Sequence, residues 1–164
     1  MKKLWVIVVL LSIISCSGNK KSDTFEKIVP LQNNNWQRFT NVDFEVPVTK
    51  GELLDFYFLL KYNSKKFNER YLPVNVTFHT PGGETRSRDF YFWLKDHRTK
   101  KRLGTTENGV TSITIPIRKE MPFIANGICK VSFEKKIPRV DTYGIISVGL
   151  RAVKSEVKKE PGKE

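Results

Sequence analysis

The sequence has few of the residues on which most enzymes and disulfide-stabilised proteins depend. Its 164 residues include only two cysteines and two histidines. It also contains no His-Glu-x-x-His motif, no Gly-rich phosphate loop and no Gly-x-Ser-x-Gly elbow. The local signatures of zinc proteases, nucleotide enzymes and serine hydrolases are therefore missing. We expect no catalytic residues, no metal site and no cofactor.

Acidic residues are also scarce relative to basic ones. Lysine and arginine total 29 against 17 for aspartate and glutamate, which gives a formal net charge of +12. Such an excess attracts anionic partners such as nucleic acid, lipopolysaccharide or phospholipid headgroups. The basic residues are scattered along the chain, however, without a basic helix or an RNA-binding aromatic signature. We expect no nucleic-acid partner and interpret most of this charge as a solvated surface.

Only one long apolar run occurs, and it lies at the N-terminus. Two lysines precede an apolar run over residues 4–14, the layout of a secretory signal peptide. The run is shorter than the roughly 20 residues of a membrane-spanning helix. Residues 13–16 (Ile-Ile-Ser-Cys) resemble the lipobox of bacterial lipoprotein signals, in which the cysteine is acylated; an ordinary secretory signal is the alternative. We predict that acyl chains such as palmitate on Cys16 anchor the mature protein to a membrane without spanning it.

Composition divides the chain into four parts. Residues 1–15 are predicted to be the lipoprotein signal peptide, and residues 16–24 the lipidated cysteine with a short polar tether. Residues 25–153 are predicted to fold, and residues 154–164 to be a charged, disordered tail. The tether carries two lysines and one aspartate, so it lacks the acidic run of surface-exported lipoproteins. We therefore expect an outer-membrane protein that faces the periplasm.

The clearest local structure in the folded part is a hairpin over residues 71–94. Residues 71–79 alternate between apolar and polar side chains, which is the two-residue period of a half-buried strand. Residues 80–84 (Thr-Pro-Gly-Gly-Glu) have the composition of a tight turn, and residues 86–94 form a second predicted strand. Because a lone hairpin is marginally stable in water, its apolar face requires further strands to cover it.

The flanking segments supply those strands. Residues 53–62 are apolar on both faces, so we place them centrally in a sheet covered on both sides. Residues 95–108 are polar and basic and are predicted to be a long loop. Further strands are predicted at residues 25–31, 42–48, 113–117, 128–135 and 145–153. About eight strands and no convincing helix indicate an all-β antiparallel β-sandwich of jelly-roll or immunoglobulin-like type, with a closed barrel as the alternative.

Aromatic residues are the best candidates for a binding surface. Trp36, Tyr91 and Trp93 belong to an aromatic set larger than one small core usually requires, and aromatic platforms bind glycans or partner proteins. Core packing is the alternative for most of them. Cys129 lies on the same strand face as Val131 and Phe133, so we predict that it is a small buried hydrophobe.

The sequence contains one candidate acid–base site. Asp89, Asp96 and His97 lie near Tyr91 and Trp93. Two carboxylates act as an acid–base pair only when they lie close together in space, and spacing along a strand and a loop does not show this. We interpret these three residues as polar surface.

The order of motifs resembles the GldH gliding-motility lipoproteins of Bacteroidetes. After the lipobox, residues 31–36 (Leu-Gln-Asn-Asn-Asn-Trp) are similar to the family's Pro-x-Asn-x-x-Trp motif, followed by residues 42–46 (Val-Asp-Phe-Glu-Val) and the turn at residues 80–85. Residues 127–134 resemble the family's Gly-x-Tyr-x-Phe-x-Phe-Glu strand. Residues 144–151 resemble its closing Gly-Ile-x-Asp-Val-Gly-Leu-Arg, with Ser147 in place of the usual Asp.

This resemblance implies a non-catalytic envelope lipoprotein that is an accessory or assembly component linked to gliding motility or the associated secretion machinery. Its implied partners are other envelope proteins. The family's Asp-Gly-x-Trp-x-Gly stretch is represented here only by residues 100–104 (Lys-Lys-Arg-Leu-Gly). A glycan-binding β-sandwich lipoprotein is the alternative function, and an enzyme with carboxylates at Asp89 and Asp96 is a distant third.

Overall fold

A computed structural model describes residues 24–156, in which two antiparallel sheets pack face to face. The strands are β1 (Thr24–Pro30), β2 (Val42–Val48), β3 (Leu53–Asn63), β4 (Tyr71–His79), β5 (Thr85–Trp93), β6 (Thr105–Glu107), β7 (Val110–Pro122), β8 (Gly127–Lys135) and β9 (Ile145–Lys154). A short 3₁₀ turn, Gln32–Asn34, follows the first strand. The five-stranded sheet has the order β1-β9-β3-β7-β6, and the four-stranded sheet has the order β2-β8-β4-β5.

The sheets remain open at their edges and do not close into a barrel. The predicted antiparallel β-sandwich is therefore confirmed, and the barrel alternative is wrong. The predicted signal peptide (residues 1–15), the lipidation site Cys16 and residues 157–164 of the predicted tail lie outside the described residues.

The predicted hairpin forms as expected. Strands β4 and β5 pair from Tyr71 with Trp93 to His79 with Thr85. The turn between them is closed by the Thr80 N–H, which donates to the Glu84 carbonyl at 2.9 Å. Gly83 adopts a φ of 87°, a left-handed conformation that glycine adopts without the steric cost of a Cβ. The segment Pro-Gly-Gly thus forms the tight turn that its composition predicted.

Strand β3 lies at the centre of the five-stranded sheet, between β9 and β7. Its inner side chains Phe56, Phe58 and Leu60 are buried against the other sheet. The prediction that both of its faces would be covered is wrong, because only Leu59 is buried among the side chains of its outer face. The apolar outer residues are half-buried by their neighbours within the sheet instead.

Two strands depart from the predicted pattern. Strand β6, with three residues, lies inside the segment predicted to be a loop. Strand β7 spans 13 residues, whereas only residues 113–117 were predicted. The extension includes the exposed residues Arg118, Lys119 and Glu120, which carry no apolar alternation. The structure therefore has nine strands in the described region, against about eight predicted.

The core between the sheets is rich in aromatic rings. Phe58 of β3 stacks on Phe92 of β5 with ring centroids 4.3 Å apart, and it meets Phe133 of β8 edge-on at 5.1 Å. Cys129 is fully buried, as predicted. Burial raises the pKa of its thiol to about 11, which keeps the thiol protonated at neutral pH and makes it a poor nucleophile.

Candidate functional site

Trp36, one of the three predicted contact residues, lies in the core. Its side chain is fully buried, and its indole Nε1–H donates to the Thr40 carbonyl at 2.9 Å. The indole therefore presents no surface to a ligand in this structure. Its role is to support the loop over residues 35–41, which lies at the end of the sandwich opposite Thr24. The sequence could not reveal on which side of the chain the ring lies.

The loop over residues 35–41 is joined to the loop over residues 137–143. The Trp36 N–H donates to the Thr142 carbonyl at 3.0 Å, and the Arg38 N–H donates to the Val140 carbonyl at 2.7 Å. The Asn35 side-chain amide donates to the Asp141 carboxylate at 2.7 Å. The two loops therefore form one hydrogen-bonded unit, which we call the end loops.

A buried lysine that no sequence pattern singles out holds the second of the end loops. The Lys135 ammonium donates to the Thr142 hydroxyl at 2.7 Å and to the Arg139 carbonyl at 2.9 Å. Burial, with a smaller contribution from the nearby Arg139, lowers the pKa of Lys135 to about 8. Because buried charge is costly unless it is well bonded, this lysine is most simply explained as a structural support of the loop.

The end loops display apolar side chains that the sequence analysis did not predict. Phe39 is 79% exposed, and Val140 and Tyr143 are also exposed. Phe39 has a φ of 64°, a conformation that is uncommon for a bulky residue. The Arg38 guanidinium lies 4.8 Å from the centre of its ring. The only sequence signal for Phe39 is an isolated aromatic residue in a polar segment.

Tyr91 and Trp93, the other two predicted contact residues, lie on the surface. They are 61% and 41% exposed on the outer face of the four-stranded sheet. Tyr71 of the neighbouring strand β4 joins them, with its ring centre 5.3 Å from Tyr91 and 5.5 Å from Trp93 in edge-to-face geometry. We call these three residues the aromatic cluster. The hairpin register brings them together, because Trp93 pairs directly with Tyr71.

Next to the aromatic cluster, the same sheet face carries a row of hydrogen-bonded polar side chains. The Asn75 amide donates to the Asp89 carboxylate at 2.7 Å, and the Ser87 hydroxyl donates to the Asn75 carbonyl oxygen at 2.9 Å. Asp89 therefore belongs to a cross-strand network on a flat surface.

The other two members of the imagined acid–base site lie in the loop after β5. Asp96 accepts hydrogen bonds from the Thr99 N–H at 2.6 Å, from the Thr99 hydroxyl at 3.0 Å and from the Arg98 N–H at 2.9 Å. These bonds, led by that of the Thr99 N–H, lower the pKa of Asp96. His97 is exposed. Asp96 is thus a turn-forming carboxylate, and its pKa is shifted away from that of a general acid.

A cleft of about 330 Å³ lies beside Trp36. Its volume falls within the range of small-molecule sites. The 3₁₀ turn, the end of β1 and the start of β2 form its walls. Five residues with side-chain amides line it: Gln32, Asn33, Asn35, Gln37 and Asn41.

Two further features of the described residues concern metals and membranes. No group of three or more His, Cys, Asp or Glu side chains among residues 24–156 is placed to hold a metal ion. Over the same range, no helix is long and apolar enough to cross a membrane.

An open β-sandwich that displays aromatic side chains on one sheet face and on its end loops is typical of a binding domain. The chain matches the family model of the GldH lipoprotein over residues 23–152, so it belongs to the GldH lipoprotein family. This family comprises membrane-anchored lipoproteins of the cell envelope that are linked to gliding motility, and it is not known to be enzymatic.

Other comparisons add little to this assignment. No curated protein matches the chain significantly. Two solved viral structures are similar in part: the infectious bursal disease virus VP2 subviral particle, at 12% identity and a TM-score of 0.39, and the Gx strain of that virus, at 10% and 0.30. Both similarities cover 84% of this chain, but only 34% and 33% of the viral chains. The chain therefore spans about a third of each.

Proposed function

We propose that this protein is a non-catalytic lipoprotein of the outer membrane, anchored by acyl chains on Cys16 and facing the periplasm. It acts as an accessory or assembly subunit of an envelope machine linked to gliding motility or the associated secretion apparatus. Membership of the GldH lipoprotein family over residues 23–152 is the observation that carries this proposal.

The position of the exposed apolar residues supports a role in binding other envelope proteins. Strand β1 begins at Thr24, shortly after the predicted lipid attachment, and rises roughly 20 Å over its seven residues toward the end loops. A lipid anchor at Cys16 would therefore leave Phe39 and the aromatic cluster at the end of the sandwich far from the membrane. Clustered, exposed aromatic side chains are the usual anchors of protein interfaces. We propose Tyr91 and Trp93 as partner contacts, with Tyr71 and Phe39 added by the structure.

Site-specific photocrosslinking in cells of the source organism tests this proposal. A photoreactive residue at position 91 should form a discrete crosslink to another envelope protein, whereas one at the exposed Lys119, near the opposite end, should not. Cys16→Ser should release the protein from membranes, and protease treatment of intact cells should leave the periplasm-facing protein uncut. Equal crosslinking at both positions, or membrane retention of Cys16→Ser, would contradict the proposal.

Glycan binding is the second candidate function, and the amide-lined cleft beside Trp36 supports it. A side-chain amide offers both a donor and an acceptor, which is the combination that neighbouring sugar hydroxyls require. A glycan array would test this, followed by calorimetry on any hit with Gln37→Ala. Lys65→Glu, on a different surface loop, is the matched control. Binding that Gln37→Ala leaves unchanged would exclude this cleft, and an array without hits would exclude the function.

A further inference from the structure

Two strand edges on one side of the sandwich lack a full partner. Strand β5 is the last strand of its sheet and pairs only with β4. Strand β7 pairs with β6 only over residues 110–112, so the rest of that edge has no neighbouring strand in the described chain. Unpaired edges present rows of backbone N–H and C=O groups that can accept an added strand. Both edges border the same opening between the two sheets.

The opening is a groove of about 220 Å³ with an apolar floor and a basic rim. Its floor is formed by Val76, Phe78, Phe90, Ile117 and Met121, and its rim by Arg86, Arg88 and Arg118. Arg86 and Arg88 are paired with Phe78 and Val76, and they occupy positions where the alternation of β5 places side chains on the inner face of the sheet. Charge therefore replaces core residues at this edge. Of the floor residues, Phe90 is half-buried and the other four are buried beneath the rim.

The rim carries unneutralised positive charge. Arg86 forms an ion pair with Glu84 at 2.5 Å. Arg88 lies 5.3 Å from the centre of the Phe90 ring, and neither it nor Arg118 has an ion-pair partner within residues 24–156. Inward-pointing charges also protect edge strands from aggregation. That protective role does not require an apolar floor or a third arginine from the opposite sheet. The groove as a whole therefore matches an occupant that is anionic and partly apolar.

We propose that this groove binds an extended acidic segment of a partner protein as an added strand beside β5. The segment's backbone would pair with the free edge, its apolar side chains would lie on the floor, and its carboxylates would face Arg88 and Arg118. A second copy fits poorly, because β5 against β5 would bring arginines together. A phospholipid headgroup could satisfy the arginines but not the rows of backbone groups. The proposal goes beyond the function proposed above, since it names a binding mode and a partner chemistry.

Peptide binding to the purified mature domain tests the proposal. The probe is a fluorescein-labelled nine-residue peptide, matched to the nine residues of β5, with serine at every odd position and glutamate and valine in turn at the even positions, so that glutamate and valine share the face that would lie on the groove. A peptide with lysine for glutamate tests charge, and the acidic peptide with alternate backbone nitrogens methylated tests strand pairing. We expect each change to weaken binding by about tenfold or more. Binding should also slow amide hydrogen exchange along β5.

Protein variants locate the site. Arg88→Glu together with Arg118→Glu should weaken binding of the acidic peptide by about tenfold or more, whereas the charge-matched pair Lys65→Glu and Lys101→Glu, on exposed loops elsewhere, should change it little. Thermal unfolding followed by circular dichroism checks that each variant folds. Because the three peptides are compared on the unaltered protein, the test does not depend on any variant.

Several results would overturn the proposal. These are no binding of the acidic peptide at millimolar concentration, equal binding of the acidic and basic peptides, or equal binding of the methylated peptide. Vesicles containing phosphatidylglycerol that bind through Arg88 and Arg118 and are not displaced by the acidic peptide would assign the groove to lipid. Dimerisation that depends on the same two arginines would assign it to a second copy. None of these results bears on crosslinking at position 91, so the two proposals can fail separately.

Discussion

Strands β9 and β5 have similar lengths, 10 and 9 residues, and both carry several apolar side chains, yet they have opposite environments. Strand β9 lies between β1 and β3, and residues 147–150 are buried without interruption. Strand β5 lies at the edge of the other sheet, and Phe92 is its only buried residue. Position in the sheet, together with the charged residues Arg86, Arg88 and Asp89 of β5, thus separates a strand that stabilises the fold from one that is available for binding.

The largest expected effect is a core truncation in β9. Leu150 is fully buried, so Leu150→Ala should lower the free energy of unfolding by about 2–5 kcal/mol through lost burial and a residual cavity. Tyr91→Ala on β5, although it removes more atoms, should change it by only about 0.5 kcal/mol or less. Urea denaturation of both variants measures the contrast. Similar losses for the two would show that β5 contributes to stability as β9 does.

A smaller effect is expected from adding one methyl group to β9. A Cβ on Gly149 would lie 2.9 Å from the Lys27 carbonyl oxygen and 3.1 Å from the Leu59 Cβ. Since the backbone of β1 cannot move away without breaking its pairing with β9, Gly149→Ala should cost about 1–3 kcal/mol. Thr85→Ala, at the exposed start of β5, is the control and should be nearly neutral. Unchanged stability of Gly149→Ala would mean that β1 is held loosely.

The sequence predicted the sandwich because side-chain alternation records which face of a strand is buried. The hairpin at residues 71–94 was readable in this way, whereas the central position of β3 was predicted from apolar residues on both of its faces. Strand β6 was not, because its three residues, Thr105–Glu107, include no apolar side chain. The extension of β7 was missed for the same reason, since residues 118–120 are charged.

Prediction of the candidate surfaces was less complete. Alternation placed Tyr91 and Trp93 on one face of β5, but it could not show that Tyr71 completes the cluster, because that depends on hairpin register. Trp36 was misjudged as a surface candidate, since loop residues have no periodicity from which burial can be read. Lys135 was missed because its acceptors include carbonyls of a loop that folds back over it, a contact that residue types do not encode.

Two titrating groups of β8 should make stability depend on pH in opposite directions. The pKa of Lys135 falls from 10.5 to about 8 on folding, so the unfolded chain binds more protons between these values and stability should rise with pH there. The pKa of Cys129 rises from 9.0 to about 11, so stability should fall between those values. Each group alone contributes at most about 1.4 kcal/mol per pH unit.

Single variants separate the two contributions. In Cys129→Ala the free energy of unfolding should rise from pH 8 toward pH 10.5, the window set by Lys135. In Lys135→Met it should fall between pH 9 and pH 11, the window set by Cys129. Urea denaturation across this range is the measurement, with each variant serving as the other's control. A flat profile in Cys129→Ala would show that Lys135 is solvated and does not hold the end loops.

The smallest effect concerns Asp96, just beyond β5, and it bears on whether this region binds or catalyses. Its hydrogen bonds from Thr99 and Arg98 hold its pKa below the ordinary 3.8, so any stability it contributes is present above that value and lost as the pH falls through the lower, folded pKa. Thr99→Val removes the side-chain bond but keeps the stronger backbone bond, so NMR titration should show only a partial return toward 3.8. Thr105→Val, on β6, should leave it unchanged. A pKa of Asp96 above the ordinary value would instead suit a general acid, and it would reopen the enzymatic alternative that the turn geometry disfavours.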